Sequence, residues 1–204
     1  MDYISNYIRI EKKKCPFLVK IDLKKLIRLY PLSTYLFKIF YKYGFKNPKN
    51  LKKIFNSKSG KIILSKKFCL IKDRTTFLLV EKSFFLLKKI YYLHNLNTIK
   101  NPFFISFLIY DTYIDSEKLI FPLKIRNWEK GDKFKLNPCG NPIKKYLSKY
   151  FKDKKMSLVE KKNIWVLLNG DNKIIWIISD RLDQHFQVTN LTKKVLNINL
   201  HNFF

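Results

Sequence analysis

The residues whose types and spacing point to chemistry are basic ones near the C-terminal end of the chain. Lys145, Lys149 and Lys152 recur at intervals of four and three, which in a helix places them on one face, with Lys144 beside them and Lys155 near the helix end. Like charges at this spacing repel each other by roughly 0.2–0.5 kcal/mol per pair. Because an RNA backbone along that face would remove the repulsion and release counterions, the pattern indicates phosphate binding. A solvated lysine face without a partner is the alternative.

Two arginines accompany these lysines. Arginine occurs at only five positions in a chain with 42 Lys and Arg, so Arg126 and Arg181 stand out from the lysine background. The planar fork of Arg126 suits a phosphate or a carboxylate such as Asp132, and the sequence leaves both partners open. Arg181 lies just past an apolar run that ends at residue 178, which places it beyond the end of a buried strand. We therefore predict an RNA-binding set made of Arg126, Lys144, Lys145, Lys149, Lys152, Lys155 and Arg181.

A helix has to position most of these side chains. Asn141 followed by Pro142 is typical of a helix start, with asparagine as the cap and proline in the first turn. From residue 143 onward, apolar side chains recur at intervals of three and four. The pattern predicts an amphipathic helix from about residue 143 to residue 155, whose apolar face consists of Ile143, Tyr146, Leu147, Tyr150 and Phe151.

A turn and a hairpin flank that helix. We interpret Gly131 as the residue that permits a tight turn and Asp132 as the acceptor of a local backbone hydrogen bond. Phe134 is interpreted as a core residue. Residues 164–168 and 173–178 predict two strands joined at Asn169-Gly170. The second strand is continuously apolar, so we expect both of its faces to be covered. Trp165 and Trp176 are predicted to lie in the core rather than to stack on RNA bases.

The N-terminal part of the chain has a different pattern. Apolar spacing predicts two short helices within residues 21–40, interrupted at Pro31, and a third over 48–55. Short β-like runs at 61–64, 68–71 and 75–80 predict a meander. Ser59-Gly60-Lys61 resembles a fragment of a phosphate-binding loop, but it lies before a strand instead of between a strand and a helix, so we do not expect nucleotide there. Apolar runs at residues 84–87 and 103–110 predict strands, and residues 95–101 predict a loop.

These patterns together predict an α+β fold. A helical segment with a β-meander forms a middle-type domain over residues 1–82, residues 83–118 connect, and a compact C-terminal α/β domain occupies 119–204. At 204 residues the chain has room for two small domains. Its 47% hydrophobic content is that of a folded protein.

Composition restricts the function classes. The chain carries 42 basic against 15 acidic residues, a formal charge of +27, which would attract a polyanion such as nucleic acid. Codon bias in an AT-rich genome is a second explanation for so many lysines. Three isolated cysteines and three scattered histidines predict a reducing cytoplasm and no metal site. The sequence shows neither an ordinary secretory signal nor an apolar run long enough to span a membrane.

Two stretches carry a resemblance to a known family. They read PLKIRNWEKGDKF and KKYLSKYFKDKKMSLVEKKNIWVLLNGDNKIIWIISDRLDQHF. These two sequences resemble the C-terminal region of the tRNA(Ile)-lysidine synthetases, which are ATP-dependent ligases that join lysine to the wobble cytidine of an isoleucine tRNA. Ser59-Gly60-Lys61 and Asp73-Arg74 extend the resemblance upstream. Ser179 stands where the family commonly has glycine, and the loop between Phe134 and Lys144 also departs from the family wording.

The resemblance implies tRNA as the partner, bound by shape and phosphate contacts. Nothing in the sequence matches the family's phosphate-binding loop of Ser-Gly-Gly-x-Asp-Ser type, so ATP and lysine are expected on a catalytic domain absent from this chain. A split enzyme with a separate catalytic chain, a tRNA-binding module retained alone and a gene remnant remain open. The rival hypotheses from other classes are a general RNA-binding or ribosome-associated protein and a peripheral membrane protein.

Overall fold

The computed structural model describes residues 8–11, 18–83, 90–95, 110–136, 141 and 143–200. These residues form an α+β fold, as the sequence predicted, with mostly antiparallel strands and short helices. They fall into two compact units. The first is drawn from Met1–Leu87 and Ser157–Val159, and the second from Lys88–Met156 and Glu160–Phe204.

In the part of the chain that the structure describes, the first unit contains a five-stranded antiparallel sheet in the order β1-β2-β5-β4-β3 together with helices α1, α2 and α3. Its elements are β1 (Ile8–Glu11), β2 (Leu18–Asp22), α1 (Leu23–Leu26), α2 (Leu32–Tyr41), α3 (Pro48–Phe55), β3 (Ile62–Leu64), β4 (Phe68–Asp73) and β5 (Thr76–Glu81). The predicted meander is confirmed in β3 to β5, and the predicted helices in α1 to α3.

Local signals in the sequence set the ends of these helices. Asp22 accepts a hydrogen bond from the N–H of Lys24 at 2.8 Å and so caps α1. Asn47 does the same for α3, since its Oδ1 accepts from the N–H groups of Lys49 and Asn50. Pro31 precedes α2 and separates it from α1. Such caps satisfy N–H groups that the helix itself cannot pair, so neighbouring residues fix where α1 and α3 begin.

The helices and the sheet enclose the main core of this unit. Phe40 is fully buried, and its ring meets that of Phe77 edge to face with centroids 5.6 Å apart. Burying one such side chain contributes roughly 1.5–3 kcal/mol. The alternate residues of β4 and β5, such as Cys69 and Val80, enter a second apolar cluster together with Val159. Both faces of the central strands are therefore covered.

The second unit is built on a five-stranded antiparallel sheet in the order β13-β12-β11-β8-β6, with two-stranded ribbons β9–β10 and β7–β14. Its elements are β6 (Ile90–Leu93), β7 (Tyr110–Asp115), β8 (Leu123–Asn127), β9 (Lys133–Leu136), β10 (Ile143–Tyr146), α4 (Leu147–Asp153), β11 (Trp165–Leu168), β12 (Ile174–Ile177), β13 (Arg181–Leu182) and β14 (Val195–Leu200). Helix α5 (Leu158–Lys162) begins with two residues that belong to the first unit and continues in the second. Strands β6 and β7 come from the stretch expected to be a connection. The runs predicted at 84–87 and 103–109 and most of the predicted loop 95–101 lie outside the described residues.

The hairpin β11–β12 forms the middle of this sheet. All four residues of β12 are buried, which confirms the prediction that both of its faces are covered. Ile175 and Trp176 enter one apolar cluster, and Ile174 and Ile177 enter another. Trp176 is 4% exposed and Trp165 is half-buried, so the prediction of core tryptophans holds.

The connection between these two strands differs from a two-residue Asn-Gly turn. It runs over residues 169–173, and its left-handed residue is Asn172 with φ of 62°. Gly170 is needed for another reason, since its N–H donates to the carbonyl of Ile120 at 2.7 Å and a Cβ would lie 2.7 Å from that oxygen. The sequence identified the connection but not the close backbone approach that requires the glycine.

Candidate nucleic-acid interface

The predicted helix over 143–155 is wrong in its first turn. Residues Ile143–Tyr146 form β10, which pairs with β9, and α4 begins only at Leu147. The N–H of Leu147 donates to the carbonyl of Asp132 at 2.9 Å, so a backbone oxygen from the preceding turn satisfies the start of the helix. Ile143 and Tyr146 are about half exposed and do not belong to the core, contrary to the predicted apolar stripe. Strand pairing supplies the hydrogen bonds that a further helical turn would have made.

The remaining part of the prediction agrees with α4. Leu147, Tyr150 and Phe151 are buried against β9, β11 and β12, whereas Lys149 and Lys152 are exposed. The helix ends in a Schellman motif, in which the N–H of Met156 donates to Phe151 at 3.1 Å and that of Lys155 to Lys152 at 2.9 Å. Lys155 takes the left-handed position of this motif, with φ of 54°. Helix packing thus presents the lysines of α4 to solvent.

The ribbon β9–β10 adds basic residues that sequence reasoning missed. In its register Lys135 lies opposite Lys144, and Lys133 lies opposite Tyr146. All four are exposed, whereas Phe134 between them is 2% exposed and faces the core. The Nζ of Lys133 lies 4.3 Å from the centroid of the Tyr146 ring. The alternation of basic and apolar residues at 133–136 was the available signal.

Lys145 lies on the opposite side of this ribbon, in register with Phe134, and is only partly exposed. Its Nζ forms a 2.7 Å ion pair with Asp153 at the end of α4. The hydrogen bond from Lys145 lowers the pKa of Asp153, and the charges of Lys149 and Lys152 lower it further despite some desolvation. The three lysines that the sequence grouped therefore act on one carboxylate, although Lys145 reaches it from a strand.

The guanidinium of Arg126 binds a carboxylate. Its Nη1 and Nη2 donate to the two oxygens of Asp132, each at 2.8 Å, and Nη1 also donates to the carbonyl of Asn127. Both side chains are largely buried, and the hydrogen bond with Asp132 raises the pKa of Arg126 against the effect of desolvation. Asp132 also accepts from the N–H of Glu129, so the pair closes the turn between β8 and β9. Gly131 permits this turn with φ of 105°, as predicted.

Arg181 is exposed at the start of β13, after a turn that packs on α4. Asp180 in that turn accepts from the Tyr150 hydroxyl at 3.3 Å and pairs with Lys154. Ser179 occupies the left-handed region with φ of 70°. Ser179 thus adopts a conformation that glycine adopts more readily, which accounts for a glycine at this position on backbone grounds.

A buried carboxylate joins the segment directly after β13 to the ribbon. Asp183 is 5% exposed and accepts hydrogen bonds from the backbone N–H groups of Lys135 and His185. The ribbon, α4 and the turn before β13 are consequently neighbours within one unit. We call their exposed cations the basic face, which consists of Lys133, Lys135, Lys144, Lys149, Lys152, Lys155 and Arg181.

The acids around the basic face are already engaged. Asp132, Asp153 and Asp180 each pair with a cation, and Asp183 accepts two backbone N–H groups. Among the described residues, these four carboxylates thus form no ion pair with the amines of Lys135, Lys144, Lys149 or Lys152. Amines and a guanidinium on a rigid scaffold suit the binding of phosphate groups.

The Ser59-Gly60-Lys61 turn has a structural role. The N–H of Gly60 donates to the carbonyl of Lys72 at 2.7 Å, and the hydroxyl of Ser59 accepts from the N–H of Arg74 at 3.0 Å. Because these groups already hold the two turns together, they do not form a cradle for phosphate.

The described residues contain neither a metal-binding cluster nor a membrane-spanning helix. No three His, Cys, Asp or Glu side chains among them lie together in a way that could hold a metal ion. Among the same residues, no helix combines the length and apolar character needed to cross a membrane.

Comparisons with known proteins point in one direction. A family described as the TilS substrate binding domain matches residues 17–82. A tRNA(Ile)-lysidine synthase of Bacteroides thetaiotaomicron is 32% identical over 179 residues, which is 80% of this chain and 39% of that protein. One from Parabacteroides distasonis is 44% identical over 87 residues, covering 43% of this chain and 19% of that protein. The chain thus spans less than half the length of these relatives.

A solved structure, described as the crystal structure of the TILS C-terminal domain, matches with a TM-score of 0.37 and 13% identity over 71% of this chain and 93% of that one.

Proposed function

Because the chain is 32% identical to a tRNA(Ile)-lysidine synthase over 80% of its length and matches a TilS substrate binding domain over residues 17–82, we propose that it belongs to that family and binds the tRNA on which such an enzyme acts. Binding would occur through the basic face of the second unit. In this proposal the chain grips the RNA by its backbone and leaves the ligation chemistry to a catalytic domain, wherever that domain is encoded. ATP and lysine belong to that domain.

The observation that carries the proposal is the concentration of exposed positive charge on three neighbouring elements. Lys135 and Lys144 lie directly across the ribbon from each other, although like charges in that position destabilise a strand pair. Lys149 and Lys152 are exposed on α4, three residues apart. A phosphate backbone would relieve both repulsions and release its counterions. Lysine suits this task better than base readout, since it is a mobile point charge.

Not every residue of the predicted set has the same part. The fork of Arg126 is occupied by Asp132, so we assign it the positioning of the turn that leads into β9. Lys145 borders the basic face and shares its charge with Asp153. Lys144, Lys149, Lys152, Lys155 and Arg181 are proposed to contact phosphate directly, together with Lys133 and Lys135.

The experiment is a binding titration at several salt concentrations. The probes are an isoleucine tRNA with a CAU anticodon, an unrelated tRNA and a duplex RNA. Replacing Lys149 and Lys152 by Ala should weaken binding and reduce the salt slope by up to about 0.9 per lost phosphate contact. Lys193 and Lys194 are also exposed but lie outside the basic face, so their replacement by Ala is the matched control.

The outcomes separate the candidate functions. Preference for tRNA, with a slope reduced only by the basic-face variant, supports the proposal. Equal affinity for all three probes would instead favour a general RNA-binding protein, for which a charge of +27 also suffices. An unchanged slope in a folded Lys149/Lys152 variant would contradict the proposed surface.

A further inference from the structure

Strand β6 carries an exposed row of side chains outside the basic face. It is an edge strand, paired with β8 alone among the described strands, and its side chains alternate between two environments. Tyr91 and Leu93 pack into the apolar cluster on one side. Ile90 and Tyr92 point to the other side and are 53% and 49% exposed, and His94 beyond them is exposed too.

The two rings of this row are stacked next to a cation. The centroids of Tyr92 and His94 are 6.4 Å apart, with 29° between the ring planes. Lys124, the register partner of Tyr92 on β8, places its Nζ 5.6 Å from the tyrosine centroid. The same Nζ donates to Oδ1 of Asn172 at 3.1 Å, which holds the cation near the ring.

The sheet explains why this row is uncovered. On the same face, Lys124 pairs in register with Leu168, which is buried in the cluster that contains Phe151 of α4. The apolar cluster on this face of the sheet therefore extends as far as β11. Lys124, on the neighbouring strand β8, lies at the edge of that cluster. One exposed aromatic residue would be ordinary. A stacked aromatic pair beside a cation, on the open face of a sheet, has the composition of sites on which unpaired bases stack.

We propose that Tyr92 and His94 form a stacking platform for an unpaired nucleotide of RNA, with Lys124 placed for the adjoining phosphate. The charge around the platform suits this ligand, since Asp171 in the neighbouring 169–173 loop is held by a 2.6 Å ion pair with Lys173. The inference rests on the proposed function and deepens it. The basic face would hold the backbone of paired RNA, and the platform would hold a single-stranded segment.

The test uses a short single-stranded RNA that contains the fluorescent base 2-aminopurine, whose emission falls when it stacks on a ring. Tyr92→Ala should weaken binding of this probe about tenfold or more and abolish the quenching, since one stacked base contributes a factor of roughly 5 to 150. Tyr92→Phe keeps the ring and should retain both. Tyr113→Ala is the matched control, because Tyr113 is a strand tyrosine of the same unit that is 57% exposed.

A duplex probe distinguishes this inference from the proposed function. Tyr92→Ala should leave duplex affinity and its salt slope unchanged, whereas replacement of Lys149 and Lys152 should reduce both. If Tyr92→Ala and Tyr113→Ala have the same effect on the single-stranded probe, the platform is refuted while the basic face still stands. If the lysine variant has no effect on duplex affinity, the basic face fails instead.

Discussion

Lys135 and Lys144 face each other directly across the β9–β10 ribbon, with both side chains exposed. Opposed like charges destabilise a strand pair, and each ordinary cross-strand pair of opposite charge would contribute roughly 0.2–1 kcal/mol. The ribbon is thus less stable than it could be in the absence of an anion. Such a cost is expected where residues serve binding rather than folding, as we propose for the basic face.

The first prediction concerns this pair. Lys144→Glu should raise the free energy of unfolding by roughly 0.2–1 kcal/mol, because the repulsion with Lys135 becomes an attraction. The same change should lower RNA affinity and its salt dependence. Thermal unfolding and a salt series measure the two effects, and Lys193→Glu is the control with the same change in charge. A variant that is more stable and still binds RNA as tightly would contradict the role of the ribbon.

The second prediction concerns the end of α4. Lys155→Gly should stabilise the protein by roughly 0.5–1 kcal/mol, because φ of 54° at this position strains every residue except glycine. Lys155→Ala removes the same cation without relieving the strain. Chemical denaturation should therefore separate the two variants. If Lys155 contacts phosphate, both should show an equal loss of RNA affinity.

The third prediction concerns the bend before Arg181. Ser179→Gly should stabilise the fold by roughly 0.5–1 kcal/mol, since Ser179 has φ of 70°. RNA binding should not change, because the exposed Arg181 keeps its place on β13. Calorimetry together with a binding titration checks both parts. A clear change in affinity would mean that the serine hydroxyl itself contacts the ligand.

The fourth prediction distinguishes positioning from contact at Arg126. Arg126→Lys should cost roughly 1–3 kcal/mol of stability, because lysine cannot reproduce the two parallel hydrogen bonds to Asp132. Under conditions in which the variant is folded, the salt slope of RNA binding should equal that of the unmodified protein. A slope lower by about 0.9 would instead show that the guanidinium meets a phosphate.

The fifth prediction concerns pH. An ion pair with Lys118 at 2.9 Å, together with the Thr192 hydroxyl and the N–H of Glu117, lowers the pKa of Asp115. A carboxyl with a depressed folded-state pKa stabilises the fold above its unfolded value, roughly pH 3.9, and loses that contribution as pH falls through the folded pKa. Asp115→Asn should reduce stability at pH 7 and flatten its decline below about pH 4. An unchanged acid limb in denaturation experiments would contradict this.

Several elements could be predicted because their signals are local. The apolar spacing over residues 48–55 predicted α3, whose bounds in the structure are Pro48–Phe55. The continuous apolar run of β12 predicted its burial on both faces. The excess of lysine over acid predicted a basic surface, since few acids are available to compensate it. In each case neighbouring residues carry the information, so no distant partner is needed.

Tertiary contacts decided what local patterns left ambiguous. The apolar residues at 143, 146 and 147 have helical spacing, yet pairing with β9, about ten residues away, makes 143–146 a strand. The same pairing exposes Lys133 and Lys135 beside Lys144. The guanidinium of Arg126 donates both of its parallel hydrogen bonds to Asp132, six residues further along the chain. The sequence by itself determined the charge, most of the core and the local helix signals. Which cations are exposed together was decided by strand register and ion pairing, because both depend on partners that come together only when the chain folds.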